Sequence, residues 1–333
     1  MTATLENTVL DIPTLDEIRE ARGQIGAYVR RTPVWLWKSD EIIEQMGIES
    51  NVYAKMELLQ ETGTFKARGA VYNMLMLKED ERQRGVTAVS AGNHAIAVAF
   101  AARLFGSTAK VVMPKSAPPF RVDKVRSYGG EVVLVDNVHE AFTEVERIAI
   151  KEGRIFVHPF EGRRTIVGQA TLGMELCEQR PDLEAVVIPI GGGGLAAGMA
   201  AAIKQMIPDC KVYGVEPEGA NTMWRSFRAE QPVAIDKVTT IADSLGSPRA
   251  EPYSYSLCRH FLDDVVLVDD DALKQNMRFL FHNLKLACEP ACAAATAAML
   301  GPLNQQLRGK TVAVIACGSN IDLETYCRIT SNA

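Results

Sequence analysis

The feature that most constrains the fold of this chain is a repeated alternation of short apolar runs with longer helix-like stretches. The runs are rich in Val and Ile and are continuous, which is typical of strands buried on both faces of a parallel sheet. Helices between such strands predict α/β architecture with right-handed crossovers. The predicted strands are Val52–Met56, Ala88–Ser90, Lys110–Met113, Glu131–Val135, Arg154–Val157, Ala185–Ile190, Lys211–Val215, Val265–Val268 and Thr311–Ala316.

Composition and charge exclude several classes of protein. The formal net charge is -5 and like charges do not cluster, which argues against a nucleic-acid-binding surface. No apolar run reaches the roughly 18 residues of a membrane helix, and residues 1–10 show no signal-peptide pattern. The 7 cysteines lie far apart without a C-x-x-C pair, which favours reduced thiols. We therefore expect a cytoplasmic protein with neither a nucleic-acid nor a membrane partner.

Lys66 lies in a segment, Thr62–Gly69, that suits a reactive amine. It follows a Thr-Gly-Thr turn and an aromatic ring, Phe65, and it precedes a small-residue run that predicts a helix. Shielding from water and the neighbouring cation of Arg68 would both lower the pKa of the Lys66 amine. A neutral lysine can attack a carbonyl or hold a Schiff base. The segment alone fits equally well a solvated surface lysine, which is the common environment of lysines.

Three loops after predicted strands carry the other candidate residues, because ligands of open α/β sheets bind beyond the carboxyl ends of strands. The first loop is Ser90-Ala91-Gly92-Asn93-His94, which leads into an apolar helix predicted from Asn93 to Phe105. Ser90, Asn93 and the amides at the helix start can receive an anion such as a carboxylate. The alternatives are a plain N-cap by Ser90 or Asn93 and, for His94, a packed histidine rather than a general base.

The second loop is a run of glycines, Gly191 to Gly194, which is followed by Leu195 and lies between a buried strand and a helix. Glycines let backbone amides approach a ligand closely, and the helix dipole favours negative charge, so a phosphate is the expected occupant. A flexible hinge is one alternative. A nicotinamide cofactor is another, since Gly192-x-Gly194-x-x-Ala197 fits a loose dinucleotide fingerprint with Glu216 about twenty residues further on.

The third loop, Ala316-Cys317-Gly318-Ser319-Asn320, follows the last predicted strand. Nothing nearby in the sequence supplies a histidine that would activate the Cys317 thiol. Cys317 is therefore interpreted either as a weak, neutral hydrogen-bond partner of a ligand heteroatom or as a buried structural cysteine.

Lys66 and the three loops, in this order, resemble the pyridoxal-phosphate (PLP) enzymes of the tryptophan-synthase-β fold, or fold type II. Within that fold they resemble the threonine/serine dehydratases and serine racemases, from Arg31-Thr32-Pro33 through Glu289-Pro290 to the Cys-Gly-Ser-Asn loop. The resemblance implies an α/β fold with two open twisted, mostly parallel sheets flanked by helices. It also implies a large cofactor-binding domain (residues 1–80 and 158–333), a small mobile domain (residues 81–157) and a homodimer or homotetramer.

The same resemblance implies a role for each candidate residue. Lys66 would carry PLP as a Schiff base. The other implied cofactor contacts are Phe65 against the ring, Asn93 at the ring hydroxyl, Gly191, Gly192, Gly193, Gly194 and Leu195 around the phosphate, Glu289 near the ring edge, and Cys317 facing the pyridine nitrogen. The implied pocket for the substrate carboxylate consists of Ser90, Ala91, Gly92, Asn93 and His94.

The reaction implied by the resemblance is PLP-dependent β-elimination of L-threonine or L-serine to a 2-oxo acid and ammonia, with Lys66 as the base on the Cα proton. Racemases of the family carry a serine where this chain has Ala91, which favours elimination over racemisation. The Asp243-Ser244-Leu245-Gly246 stretch departs from the family's Ala-Asp-Gly pattern, which puts specificity for threonine in doubt. A 3-hydroxyaspartate dehydratase and a serine racemase are the alternatives on the same scaffold, and an NAD-dependent oxidoreductase is a less favoured one.

A divalent cation, Mg or Ca, is a doubtful second cofactor. Many members of the family bind such a cation through a Glu, a backbone carbonyl and an Asp. Glu216 and Ala220 match the first two positions, but Thr222 stands at the third. Losing one charged oxygen ligand weakens a site for a hard cation.

Overall fold

The structure is a computed structural model that describes residues 10–331, apart from the side chains of residues 138 and 139. Residues 1–9, most of the segment in which no signal-peptide pattern was expected, lie outside the described range. Two separate sheets form the frame of the molecule. The strands are β1 (Val34–Trp37), β2 (Asn51–Lys55), β3 (Val86–Val89), β4 (Ala109–Pro114), β5 (Glu131–Val135), β6 (Ile155–Phe156), β7 (Ala185–Pro189), β8 (Lys211–Pro217), β9 (Asp264–Val268) and β10 (Thr311–Ile315).

Helices cover both sheets and connect most of the strands. In chain order they are α1 (Leu15–Ile25), α2 (Asp40–Met46), α3 (Lys66–Leu75), α4 (Glu79–Arg84), α5 (Asn93–Leu104), α6 (Pro119–Ser127), α7 (Val138–Glu152), α8 (Arg163–Gln179), α9 (Gly194–Met206), α10 (Thr222–Ala229), α11 (Pro252–Phe261), α12 (Asp270–Leu284), α13 (Pro290–Leu300), α14 (Asn304–Leu307) and α15 (Leu323–Ser331). Within residues 10–331, no helix combines the length and the apolar character needed to cross a membrane.

The six-stranded sheet has the order β1-β2-β10-β7-β8-β9, and the four-stranded sheet has the order β5-β4-β3-β6. Every strand pair is parallel except β1 with β2. Each predicted strand overlaps one of β2 to β10, so the predicted α/β fold with two mostly parallel sheets is confirmed. We call the large sheet with α9 and α13 packed on it, together with α8 packed on α9, the six-stranded half. The small sheet with α5, α6 and α7 is the four-stranded half.

Strand β1 (Val34–Trp37) was not predicted. It is an edge strand that pairs antiparallel with β2, and of its residues only Trp37 is buried. Its sequence Val-Trp-Leu-Trp lacks the Val/Ile-rich run by which the other strands were found.

The two sheets bury separate apolar clusters, because each sheet carries its own covering helices. Helix α5 is apolar almost all round, and its buried alanines pack between the small sheet and α3. It ends before Gly106, whose φ of 65° is left-handed, as the sequence predicted. All four strands of the small sheet fall within residues 81–157. The exact boundaries and the mobility of the small domain stay predictions.

Candidate active site

One cleft of about 500 Å³ lies where the carboxyl ends of strands from both sheets face each other. Lys66 and parts of all three loops line it, together with Glu289. Residues far apart in the chain therefore meet in one cleft, as the position of the three loops after predicted strands indicated. The sequence-predicted residues that line the cleft are Phe65, Lys66, Ser90, Ala91, Gly92, Asn93, His94, Gly191, Gly192, Gly193, Gly194, Leu195, Glu289 and Cys317. Glu216 and Ala220 do not line it.

Lys66 is the first residue of α3 and projects into the cleft. The turn before it is tight, since Thr62 and Gly63 both have left-handed φ values, 66° and 75°. The Lys66 Nζ donates a hydrogen bond to the Pro159 carbonyl at 2.5 Å and lies 5.1 Å from the centroid of the Phe65 ring. Burial lowers the pKa of the Lys66 amine to about 8, although the nearby Glu289 and Cys317 oppose this shift. At physiological pH the amine is still mainly protonated, but a far larger fraction of it is neutral than for an ordinary lysine.

Arg68 does not activate Lys66, contrary to the sequence interpretation. Its guanidinium is buried and pairs with Glu57 at 2.8 Å and with Glu175 at 3.1 Å. Glu175 also binds Lys55 Nζ at 2.5 Å. These two cations and two carboxylates form a buried network that joins the start of α3 to α8. Desolvation, not a nearby cation, is what lowers the pKa of Lys66.

The start of α5 is open to a ligand. Gly92 occupies its N-cap position and no side chain caps the first turn, so the N-cap alternative for Ser90 and Asn93 is wrong. Ser90 Oγ instead accepts a hydrogen bond from the Gly92 amide at 3.0 Å, which shapes the turn. Uncapped amides at a helix N-terminus suit a carboxylate.

His94 is a packed, neutral histidine. Its Nε2 lies 2.8 Å from the Val157 carbonyl, and since a carbonyl only accepts, Nε2 carries the hydrogen. Burial, reinforced by the charge of Lys66, lowers the pKa of His94 to about 3. His94 therefore lines the pocket without acting as a proton-accepting base through Nε2.

Asn93 is held by hydrogen bonds from three directions. Its Nδ2 donates to Glu289 Oε1 at 2.7 Å and to Ser244 Oγ at 3.2 Å. Its Oδ1 accepts from Asn320 Nδ2 at 2.7 Å. The sequence does not predict these contacts of Ser244 and Asn320, since only the folded chain brings the two residues to Asn93. A side chain fixed in this way is preorganised for contact with a ligand ring.

The glycine loop is tightly packed rather than hinge-like. A Cβ on Gly192 would collide with the Phe160 ring, and one on Gly194 would collide with the Phe160 backbone. Gly193 has φ +95°, a conformation that strongly favours glycine, and it forms the N-cap of α9. Side chains are excluded where the backbone amides face the cleft. Close amides at a helix N-terminus fit the phosphate of PLP.

Cys317 presents a neutral thiol. It is buried directly after β10, and its backbone carbonyl accepts a hydrogen bond from the Phe65 amide at 3.2 Å. A hydrogen bond with Cys292, followed by burial, raises the pKa of the Cys317 thiol well above its ordinary value. A neutral partner of this kind suits a pyridine nitrogen that carries no proton.

Arg121 is a cleft residue that the sequence analysis missed. It lies on α6, its side chain is buried, and it reaches Asp243 and Glu289 in the six-stranded half. Burial raises the pKa of Glu289 to about 7, and the charge of Arg121 opposes this rise. Nothing in the local sequence distinguishes Arg121 from a solvated arginine on an exposed helix.

Glu216 fits neither a metal site nor a dinucleotide site. It is buried, and its carboxylate accepts hydrogen bonds from the amides of Met223 at 2.9 Å and Trp224 at 2.7 Å, at the start of α10. Burial raises its pKa to about 8. Within residues 10–331 no group of three His, Cys, Asp or Glu side chains is arranged to hold a metal ion. We therefore derive no step through a divalent cation.

A family model described as "Pyridoxal-phosphate dependent enzyme" matches residues 25–318 of the chain. The chain belongs to this family of PLP-dependent enzymes. The geometry agrees, because the cleft offers a buried lysine with a lowered pKa and a glycine cradle from which side chains are excluded.

Individual relatives place the chain more finely. It is 52% identical to phenylserine dehydratase of Ralstonia pickettii, over 97% of this chain and 98% of that protein. It is 40% identical to L-threonine ammonia-lyase of Thermotoga maritima, over 95% of this chain and 78% of that protein. The structure of maize serine racemase superposes with a TM-score of 0.90 at 34% identity, covering 96% of this chain and 98% of that one. The predicted family, fold class, cofactor and enzyme class are confirmed by these likenesses.

Proposed function

We propose that this protein is a PLP-dependent ammonia-lyase for β-hydroxy amino acids with an apolar β substituent, and that 3-phenylserine is its preferred substrate. The products are the 2-oxo acid and ammonia. The observation that carries this proposal is the 52% identity to a phenylserine dehydratase along nearly the full length of both chains. Threonine and serine, the substrates expected from the sequence, are the smaller members of the same substrate class.

The charges in the cleft support an apolar substituent over a second carboxylate. Arg121 is already paired with the carboxylates of Asp243 and Glu289. Lys66 is reserved for the cofactor, and Lys237 is exposed at the rim. Burying a further carboxylate without a free cation is costly. These contacts favour 3-phenylserine over 3-hydroxyaspartate, while the wall that includes Phe142 and Leu245 is apolar.

In the proposed mechanism the side chains divide the work. The glycine loop would bind the phosphate, Lys66 would hold the cofactor covalently, and the start of α5 would bind the substrate carboxylate. When bound, PLP supplies the electron sink for the charge that develops at Cα. Lys66 Nζ, in its neutral form, would take the Cα proton. Cys317, a neutral thiol, does not hold a proton on the ring nitrogen, which favours loss of the β-hydroxyl over transamination.

We further propose a homodimer or homotetramer in the cytoplasm, with residues 81–157 moving as a small domain. The exposed apolar side chains of Trp35 and Leu36 on edge strand β1 support self-association. The 7 cysteines, all free, are consistent with a reducing compartment.

A substrate panel with the holoenzyme tests the proposed function. Ammonia and 2-oxo acid are measured with 3-phenylserine, threonine, serine and 3-hydroxyaspartate, and Lys66→Ala is the control. We expect kcat/KM for 3-phenylserine to be at least ~10-fold above that for threonine, because its phenyl ring fills an apolar pocket that the methyl group of threonine leaves partly empty. Borohydride followed by mass spectrometry is expected to place reduced cofactor on Lys66. A protein that deaminates none of the four substrates, or works best on 3-hydroxyaspartate, contradicts the proposal.

A further inference from the structure

Arg121 connects the two halves of the molecule across the cleft. It belongs to α6 in the four-stranded half, and its side chain is only 4% exposed. Its Nε donates to the Asn320 carbonyl at 3.0 Å, its Nη1 binds Asp243 Oδ2 at 2.5 Å, and its Nη2 lies 3.5 Å from Glu289 Oε2. All three partners belong to segments that follow or flank the six-stranded sheet. One guanidinium thus ties three points of one half to a helix of the other.

The charged form of the Glu289 carboxylate depends on the Arg121 guanidinium. The carboxylate is 1% exposed, and its Oε1 accepts from Asn93 Nδ2 at 2.7 Å. Its Oε2 accepts no hydrogen bond within the described residues, so Arg121 is the cation that faces it. The charged and titratable groups around Glu289 are Arg121, Asp243, Lys66, Cys288, Cys292 and Cys317. A buried carboxylate that loses its cation is strongly disfavoured in its charged form.

The backbone leaves room for the guanidinium. A Cβ on Gly92 would lie 2.8 Å from Arg121 Nη1, so a side chain at that position would force Arg121 to move. Gly92 is also the N-cap of α5, next to Asn93. The loop that lines the cleft is therefore shaped around Arg121 as well as around a ligand.

We propose that Arg121 is a positioning residue, which clamps α6 onto the six-stranded half and holds Glu289 in register with Asn93 before substrate arrives. The inference rests on the proposed function only for its kinetic consequence. Arg121 touches no reacting atom, so it acts through the placement of Glu289 and Asn93 and through closure of the cleft.

The test compares Arg121→Met and Arg121→Lys with Arg126→Met as the matched control. Arg126 lies on the same helix, but its side chain is 56% exposed and pairs with Asp123 of that helix. Loss of the clamp is expected to increase hydrogen exchange across residues 119–127 in the apo and PLP-loaded protein. Arg126→Met is expected to leave this exchange unchanged. With 3-phenylserine, Arg121→Met is expected to lower kcat ~100-fold with KM little changed, as misplacement of site groups does.

The pH profile separates positioning from mere loss of structure. The clamp acts through the charged form of Glu289. Loss of Arg121 is therefore expected to move the acid limb of kcat upward by about one pH unit, because this carboxylate loses its cation. Arg121→Lys keeps the charge and is expected to restore the limb. Asp243→Asn removes a neighbouring negative charge and is expected to move the limb the opposite way, so a result remains even if Arg121→Met does not fold.

Either of two outcomes would contradict the proposal that Arg121 is a positioning residue. One is unchanged hydrogen exchange across residues 119–127 in Arg121→Met. The other is acid limbs of kcat that move in the same direction in Arg121→Met and Asp243→Asn. If exchange responds as expected but no hydroxy amino acid is deaminated, the proposed function fails and the clamp stands. If turnover is normal in every variant, the proposal that Arg121 is a positioning residue is wrong and the proposed function stands.

Discussion

Burial sets the reactivity of Lys66, and this makes its pH dependence predictable. The pKa of the amine is lowered to about 8, so the amine is mainly protonated below that pH and neutral above it. Only the neutral amine attacks an aldehyde. The rate at which apo-protein captures PLP is therefore expected to rise with pH and to level off above about 8. Stopped-flow absorbance between pH 6 and 10 checks this, with a free lysine derivative as control. A rate that levels only near pH 10 contradicts it.

Gly192 is constrained by what a methyl group would meet. A Cβ there would enter the Phe160 ring, and overpacking of this kind costs ~1–3 kcal/mol. Gly192→Ala is therefore expected to weaken PLP binding at least ~10-fold, because the loop must shift its amides. Titration of apo-protein with PLP measures the effect. Gly23→Ala on α1, where nothing lies within 4 Å of the new Cβ, is the control and should leave PLP affinity unchanged.

At the scale of helices and strands, features marked by a local sequence pattern could be predicted. Features that depend on tertiary contacts could not. The central strands were found because a buried parallel strand is apolar on both faces. The partly exposed edge strands β5, β6 and β9 were found because each still lies in an apolar run, whereas edge strand β1 lacks a Val/Ile-rich run. Arg68 was misjudged and Arg121 was missed for one physical reason. Their partners Glu175 and Asp243 lie 107 and 122 positions away, and no spacing rule reaches so far.

We expect the loop at the start of α5 to determine which face of the substrate can be protonated. Ala91 lines the cleft beside the uncapped first turn and has no group that can donate a proton. Ala91→Ser adds a hydroxyl there, so we expect D-serine to form from L-serine alongside elimination. Chiral chromatography detects it, and Ala91→Gly, which adds no hydroxyl, is the control. Elimination that persists without any D-isomer in Ala91→Ser would show that Ala91 does not face the second side of Cα.

Assembly of the whole molecule is expected to depend on the edge of the six-stranded sheet. Strand β1 leaves Trp35 57% and Leu36 43% exposed at an unpaired sheet edge, and natural proteins usually cover such an edge. Burying two large apolar side chains contributes about 1.5–3 kcal/mol each, enough to shift a dimer equilibrium by orders of magnitude.

Trp35→Lys places a charge on that edge and is expected to convert the oligomer to monomers at micromolar concentration, as light scattering after size exclusion would show. Ile150→Lys is the matched control, because Ile150 is 85% exposed on α7, far along the chain from β1. An oligomer that survives Trp35→Lys but dissociates in Ile150→Lys would place the interface on the four-stranded half. Since the clamp at Arg121 lies inside each subunit, its hydrogen-exchange signature should be the same in the monomeric variant.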